Sequence, residues 1–356
     1  MNETEQSTPL IVDAVIHAYN LAEENARNPI AASFAAASYG MVQLTGDHAM
    51  ISMEQFCHDW SVDSLAELVF VESDVDLATF HAVPLGDYFY DGMVSNEKGI
   101  EMRRRWPDRV LFYGAVNPLE GAKALEDAEY LVKEGGASGI KLYPEWYVGG
   151  GVKPISLADE AIDPLLQKVQ ELGAVLAIHK AVPAGQGLTD NYRVGDVEAA
   201  AARYPELPIE VVHAGMAFLD ETTYLLQRYP NVYANLEVTS AFAVHLKRRF
   251  AEALGALMFS GALDRIIFAT GCCLVHPQPI IEALRSFTMP EDLTAGYGYP
   301  PVSEDVMRGI LGENYLRLHG LDPEDVRRRI ADDDFATRRA QGRPSRWSAV
   351  TSDAPV

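Results

Sequence analysis

Four potential metal ligands each end an apolar, strand-like run of this sequence. The runs AVIH, VLAIH, EVVH and YANLE end at His17, His179, His213 and Glu237. In a parallel barrel the carboxyl ends of all strands open on one face, so these side chains would meet there. Neutral imidazoles and a carboxylate are ligands of zinc, iron and manganese. A single histidine at a strand end is usually a buried core residue, but four such endings predict a metal site.

Two further residues are candidates for catalysis. Lys141 ends the run GIKLY, and two interpretations of it stay open. It is either a surface or ion-paired amine, or a buried amine that is carbamylated and so bridges or orients metals. His276 precedes Pro277 in the loop after the last predicted strand. It is either a hydrogen-bond donor or substrate contact at the site, or a capping residue.

Aromatic residues concentrate in two predicted loops at the same end of the strands. Tyr88, Phe89 and Tyr90 lie in one loop, and Tyr143, Trp146 and Tyr147 lie in the other. These side chains are candidates for the walls of a pocket that binds a bulky apolar substrate. The alternative is that they pack the loops onto the barrel.

Eight strand-like runs alternate with amphipathic segments along the chain. Most runs are continuously apolar, as expected for strands that are covered on both faces. This order predicts an α/β fold, a (β/α)8 barrel, with a doubly wound sheet as the alternative. The predicted strands are 10–17, 66–72, 110–116, 138–143, 174–179, 208–213, 232–238 and 265–270, and the predicted helical segments between them are 120–134, 159–172, 193–204, 219–229 and 243–258.

Two stretches fall outside this repeat. Residues 18–65 form an insertion after the first strand, and 73–92 are interpreted as a long loop after the second, which leaves His81 at no strand end. The Arg-rich tail predicts a final helix with a solvated face. We therefore expect one barrel domain over 1–320 and a charged C-terminal extension over 321–356.

Composition restricts the class of protein. The 356 residues carry a net charge of −22, which disfavours nucleic acids and anionic membranes as partners. The three cysteines do not resemble a disulfide framework, and no basic and apolar leader begins the chain, so we expect a cytoplasmic protein. No apolar run approaches the roughly 18 residues of a membrane span.

The motifs VIH, GIKLYP, LAIHKA, EVVHAG and RIIFATG followed by HPQP resemble the amidohydrolase superfamily. The resemblance covers about residues 10–320 and is to the branch that includes aminocarboxymuconate-semialdehyde decarboxylase. Two positions depart from the family pattern. Its first strand usually ends His-X-His, but Val15 takes the first of these positions. Its eighth strand usually ends in a metal-binding aspartate that activates water, but no carboxylate lies among residues 269–272 here.

These departures make the chain similar to an offshoot of the superfamily, a di-iron hydroxylase of diterpenoid antibiotic biosynthesis (the platensimycin and platencin pathways). The resemblance implies a non-haem iron monooxygenase, with two irons held by His17, Lys141, His179, His213 and Glu237. It would hydroxylate an unactivated carbon of a bulky apolar substrate, and its partners would be O2 and an electron donor, with a homo-oligomer possible. The first alternative is a zinc- or manganese-dependent hydrolase or non-oxidative decarboxylase. The second is a non-enzymatic binding protein with a degenerate site.

Overall fold

Eight parallel strands form a nearly closed barrel in the computed structural model, which describes residues 9–42, 51–183 and 186–351. Their order around the sheet is β1-β2-β3-β4-β7-β8-β9-β10. Main-chain hydrogen bonds from Ala14 to Phe268 and from Gly271 to Val15 connect the last strand segment to the first. The strands are β1 Val12–Ile16, β2 Leu77–His81, β3 Val110–Ala115, β4 Gly139–Leu142, β7 Val175–His179, β8 Ile209–Val212, β9 Val232–Asn235 and β10 Ile266–Ile267, and an antiparallel hairpin after β4 adds β5 Glu145–Val148 and β6 Gly151–Pro154.

Helices follow most barrel strands and cover the outside of the sheet. The predicted (β/α)8 barrel is thus confirmed, with helical elements inserted after β1. No helix among the residues described is long and apolar enough to cross a membrane. The helices are α1 Pro29–Val42, α2 Met53–Phe56, α3 Val62–Phe70, α4 Asn96–Arg105, α5 Ala122–Lys133, α6 Asp163–Glu171, α7 Gly195–Arg203, α8 Leu219–Arg228, α9 Phe242–His245, α10 Lys247–Phe259, α11 Pro277–Arg285, α12 Glu291–Tyr297, α13 Glu304–Arg308, α14 Asn314–Leu318, α15 Pro323–Ile330, α16 Asp334–Ala340 and α17 Ser348–Thr351.

The second strand is displaced from its predicted position. The run 66–72 was predicted as a strand, but most of it belongs to α3, whose first turn is capped by the Ser61 hydroxyl accepting from the Ser64 N–H. This helix is buried on most faces because α16 and α17 pack against it. A helix covered all round has the same continuous apolar run as a buried strand. The true strand, β2, begins at Leu77 and ends at His81.

The charged tail packs against the barrel instead of remaining solvated. Arg109, a buried residue just before β3, donates to both carboxylate oxygens of Asp333 at 2.6 and 2.8 Å. Further along, the indole of Trp347 is buried against Trp60. The buried carboxylate of Glu72 accepts from the main-chain N–H groups of Trp347 and Ala349 at 2.6 and 2.7 Å. These contacts tie the last described helix to the segment between α3 and β2.

Candidate active site

A cavity of about 460 Å³ opens at the carboxyl ends of the barrel strands. Its floor contains the four predicted ligands, each at the end of a different strand or immediately after it. His17 follows β1, His179 ends β7, His213 follows β8, and Glu237 lies two residues beyond β9. The parallel arrangement therefore brings together the residues that the sequence had placed at strand ends.

Each of the three histidines directs one ring nitrogen at a main-chain carbonyl. His17 Nδ1 lies 2.9 Å from the His81 oxygen. His179 Nε2 lies 2.8 Å from the oxygen of Val182, and His213 Nδ1 lies 3.2 Å from that of Glu237. A carbonyl only accepts, so these three nitrogens carry the protons and donate. In a neutral ring the opposite nitrogen then has an unprotonated lone pair.

Those opposite nitrogens converge with the Glu237 carboxylate. His17 Nε2 lies 3.0 Å from Glu237 Oε1, and His213 Nε2 lies 3.4 Å from Oε2. His213 Nε2 also lies 3.1 Å from His179 Nδ1. Lone pairs that face one another at these distances repel unless a proton or a cation lies between them.

Protonation of the histidines does not readily relieve the repulsion between these lone pairs. Burial lowers the pKa of His213 to about 4 and holds the pKa of His179 well below its ordinary value. Burial alone would raise the pKa of Glu237, but positive charge at the positions of His213 and His17 outweighs it and holds that pKa well below the ordinary value, so the carboxylate stays ionised beside a cation. Neutral imidazoles around an ionised carboxylate form a donor set suited to a divalent cation.

The donor atoms are in direct mutual contact. In the part of the chain that is described, no group of three or more His, Cys, Asp or Glu side chains is spaced to hold a metal ion as it stands. Ligands bonded to one ion at 2.0–2.2 Å lie about 3.0–3.5 Å from each other. The separations of 3.0, 3.1 and 3.4 Å fall in that range, so small ring and carboxylate rotations would suffice to direct these donors at one ion. Main-chain acceptors that fix ring orientation are also typical of histidines that bind metals.

Glu237 occupies space at the end of the neighbouring strand segment. A Cβ atom on Gly271 would lie 3.0 Å from Glu237 Oε1, and Gly271 has φ of +76°, a conformation that favours glycine. The Glu237 carboxylate, which follows β9, thus reaches the chain just after β10. The sequence itself places no acidic residue there. Glycine at 271 is what leaves room for it.

Lys141 lies beside this cluster but does not line the cavity. Its side chain is buried, with Nζ 5.6 Å from the ring centre of Tyr143. Burial lowers its pKa to about 8, against the opposing attraction of Glu237 and Glu210. A buried amine that loses its proton this readily is a nucleophile near neutral pH, so the prediction that Lys141 is modified stays open.

His81 is a residue that the sequence interpretation missed. It ends β2 and is fully buried, stacked on Tyr113 with ring centres 4.5 Å apart. Neither ring nitrogen makes a hydrogen bond within the described residues, although the main chain of Ala14 lies near enough to favour a protonated ring. Burial nevertheless holds its pKa well below the ordinary value. The run LATFH carries the same signal as the other histidine endings, but a second strand predicted at 66–72 leaves it inside a predicted loop.

Other predicted site residues lie away from the cavity wall. His276 is fully buried, caps α11 by accepting from the Gln278 N–H, and donates to Glu72 at 3.3 Å. It therefore connects α11 to the segment before β2, and the capping alternative describes it better than a catalytic role.

Of the six aromatic candidates in the two loops, Tyr143 lines the cavity and the other five do not. Tyr88 and Tyr147 stack on each other at 4.2 Å, and Tyr88 packs behind the cavity-lining Phe34. Trp146 is buried in the hairpin, while Tyr90 is 70% exposed. The alternative, that these residues pack loops together, fits Tyr88, Trp146 and Tyr147. The aromatic residues on the cavity wall are Tyr19, Phe34 and Tyr143.

Comparison with solved structures shows the fold at low sequence identity. An uncharacterised TIM-barrel protein from Bordetella bronchiseptica is 18% identical, with a TM-score of 0.61 over 87% of this chain and 98% of that one. The manganese-bound 5-carboxyvanillate decarboxylase of Novosphingobium aromaticivorans is 14% identical, with a TM-score of 0.56 over 90% and 99%. The 4-oxalomesaconate hydratase of Rhodopseudomonas palustris is 16% identical, with a TM-score of 0.54 over 87% and 96%. No curated protein matches the sequence.

These comparisons correct the expected activity. The similar structures with a stated activity are a decarboxylase and a hydratase, so the expectation of an oxidoreductase is wrong, and the alternative of a hydrolase or decarboxylase fits better. The similar decarboxylase is bound to manganese, which is consistent with the alternative metals, zinc or manganese. The sequence profile described as Amidohydrolase matches residues 91–321, well over half of the chain. This protein belongs to the amidohydrolase family.

Proposed function

We propose that this protein is a divalent-metal-dependent enzyme that removes CO2 from a carboxylic acid without using oxygen. The observation that carries the proposal is the set of three histidines whose N–H groups are held by main-chain carbonyls. Their remaining nitrogens converge on the Glu237 carboxylate at the floor of the cavity. His17, His179, His213 and Glu237 would hold one manganese or zinc ion.

Decarboxylation is favoured over hydrolysis by the charges in the cavity. Among the described residues that line it, Glu237 is the only acidic one, and its pKa lies well below the ordinary value. It is therefore a poor base for removing a proton from water. Loss of CO2 needs no activated water: the bond between the carboxylate and its carbon breaks, the electron pair stays on that carbon, and a proton then replaces the CO2.

The bound metal would supply positive charge that orients the substrate and accepts electron density. The protein's own groups would do the remaining work. Burial raises the pKa of Tyr19 and of Tyr143 well above the ordinary value, so both phenols keep their protons and can donate hydrogen bonds in the cavity. The aliphatic walls would exclude water from the developing carbanion.

The test measures metal content and anaerobic CO2 release from a panel of aromatic and unsaturated acids. We expect about one manganese or zinc per chain, activity without O2, and loss of both activity and metal in Glu237→Gln. The matched control is Glu210→Gln, which changes a buried carboxylate that does not line the cavity and should keep the metal.

Two results would contradict the proposal. Release of an alcohol or acid with an oxygen atom from labelled water, and no CO2, would identify a hydrolase. Full activity of the metal-free protein would remove the assigned role of the four ligands.

A further inference from the structure

Helix α1 presents an apolar stripe to the cavity. Ile30, Phe34, Ala37 and Met41 all line it, and the hydroxyl-bearing residues Ser33 and Ser38 lie beside them on the same wall. The spacing of the four apolar residues, at four, three and four positions, places them on one face of the helix. This face would normally pack against the protein core, but here it forms the roof of an open space above the ligand cluster.

The wall opposite α1 is also apolar. Val83 and Leu85 come from the loop after β2, Met93 from the loop before α4, Val182 from the loop after β7 and Leu274 from the loop before α11. The space between the two walls therefore has an aliphatic lining from several elements. Its volume of about 460 Å³ is within the range of pockets that enclose drug-sized molecules.

The charge of the lining restricts what can bind. No lysine or arginine is among the described residues that line this cavity. A second carboxylate or a phosphate on the substrate would thus be desolvated without a counter-charge, which is costly. A single carboxylate at the ligand cluster is the only anionic group that the cavity suits.

We propose that the substrate is a monocarboxylic acid with an extended apolar body, and that the α1 stripe determines how long this body can be. The identity of the carboxylate as the reacting group rests on the proposed function, whereas the apolar preference rests on the cavity walls alone. Ala37 is the specificity-determining position, because its small side chain leaves the space that a long substrate would fill.

Calorimetric titration of the manganese-loaded protein with benzoate and 4-alkylbenzoates, from methyl to hexyl, tests this proposal. We expect the affinity to rise about fourfold for each methylene that enters the cavity, which corresponds to about 0.8 kcal/mol. Isophthalate, with a second carboxylate, should bind at least tenfold more weakly than 4-methylbenzoate.

The variant Ala37→Trp should bind benzoate normally and lose most of the gain from the longer chains. Ala36→Trp is the matched control, since Ala36 is an exposed residue of the same helix that does not line the cavity. Affinity that is independent of chain length, tighter binding of isophthalate, or no binding of any benzoate would overturn the proposal. If chain length matters but no acid loses CO2, the proposed reaction fails while the apolar preference stands.

Discussion

At the scale of single residues, the candidate site depends on where protons are held. The main-chain oxygens of His81, Val182 and Glu237 each fix one N–H of a histidine, and this fixes the direction of the opposite lone pair. Glu237 supplies two partners at once, its main chain to His213 Nδ1 and its carboxylate to His17 Nε2. Its position therefore affects both the charge and the geometry of the cluster.

The substitution Gly271→Ala should weaken divalent-metal binding. The added Cβ would lie 3.0 Å from Glu237 Oε1 and would displace that carboxylate. We expect a loss of about 10- to 100-fold in manganese affinity, as for other changes that shift a ligand. The measurement is calorimetric titration of metal-free protein with MnCl2.

Gly261→Ala is the matched control for this change. Gly261 has φ of +83°, similar to the +76° of Gly271, but no atom within 4 Å of its added Cβ. Both variants incur the cost of a positive φ, so only the contact with Glu237 distinguishes them. Equal manganese affinity in the two variants would refute the role assigned to Gly271.

Glu210 should make stability depend on pH in a defined window. Burial raises its pKa from the ordinary value of 4.5 to about 7, despite hydrogen bonds from Tyr113 and Asn235 that favour the carboxylate. Between pH 4.5 and about 7, the folded protein therefore keeps a proton on Glu210 that the unfolded chain has released. The associated stability is fully present below pH 4.5 and is lost as the pH rises through 7, an effect of up to about 3 kcal/mol.

The variant Glu210→Gln tests this prediction by comparison with the unmodified protein. Urea unfolding at pH 5 and pH 7.5 should show the unmodified protein losing more stability than the variant over this interval. The other ionisable groups are the same in both proteins, so their contributions cancel in the difference. An identical pH dependence would show that Glu210 is ionised in the folded protein throughout the range.

At the scale of elements, the ends of strands and the roof helix have different roles. The strands β1, β7, β8 and β9 carry or immediately precede the ligands, and their main-chain pairing fixes the positions of the ligand backbones. Helix α1 belongs to the insertion after β1 and lines the cavity with four apolar side chains and with Ser33 and Ser38, but with no charged group. Changes in the insertion can therefore alter the size of the cavity without moving the ligand cluster.

The last described helix, α17, should contribute substantially to stability. Trp347, just before it, is 1% exposed and contacts the rings of Trp60 and His276. We expect Trp347→Ala to lower the free energy of unfolding by about 3–5 kcal/mol, the usual cost of removing a large buried ring. The measurement is urea unfolding followed by circular dichroism, with Phe259→Ala, which removes a 62% exposed ring, as the control. A loss below 1 kcal/mol would mean that the tail is not a stabilising part of the fold.

At the scale of the whole molecule, the charge is strongly unbalanced. The chain has 51 acidic and 29 basic residues. Many of the basic residues form ion pairs, as Arg105 does with Asp63 and Arg228 with Glu198, so the excess is one of unpaired carboxylates. An excess of one sign destabilises the compact state through self-repulsion.

Salt should therefore stabilise the folded protein at neutral pH. Raising NaCl from about 0.01 M to about 0.15 M shortens the screening length from about 30 to about 8 Å, which weakens repulsion between distant carboxylates. We expect the Tm to rise by a few degrees in a calorimetric scan of metal-loaded protein. A fall in Tm with salt would show that surface ion pairs outweigh the repulsion.

The amino-acid sequence was enough to predict the barrel and to select four strand-end residues as candidate metal ligands. Its information was local: a continuous apolar run followed by His or Glu identifies both a buried strand and the residue at its open end, as for His17, His179, His213 and Glu237. The same local reasoning failed at α3 and β2, since a helix covered by α16 and α17 is as uniformly apolar as a strand. That error hid His81.

Which side chains share the cavity depends on contacts between segments that are distant in the sequence. Of the aromatic candidates in the two loops, Tyr143 lines the cavity while Tyr88, Trp146 and Tyr147 are packing residues, and Phe34 of the insertion lines it without having been predicted. The contact of Glu237 with Gly271 joins two strand ends 34 positions apart, and the contacts of Glu72 with His276 and Trp347 span more than 200. Such contacts are made by the closure of the barrel and the return of the tail, and a local sequence pattern does not contain them.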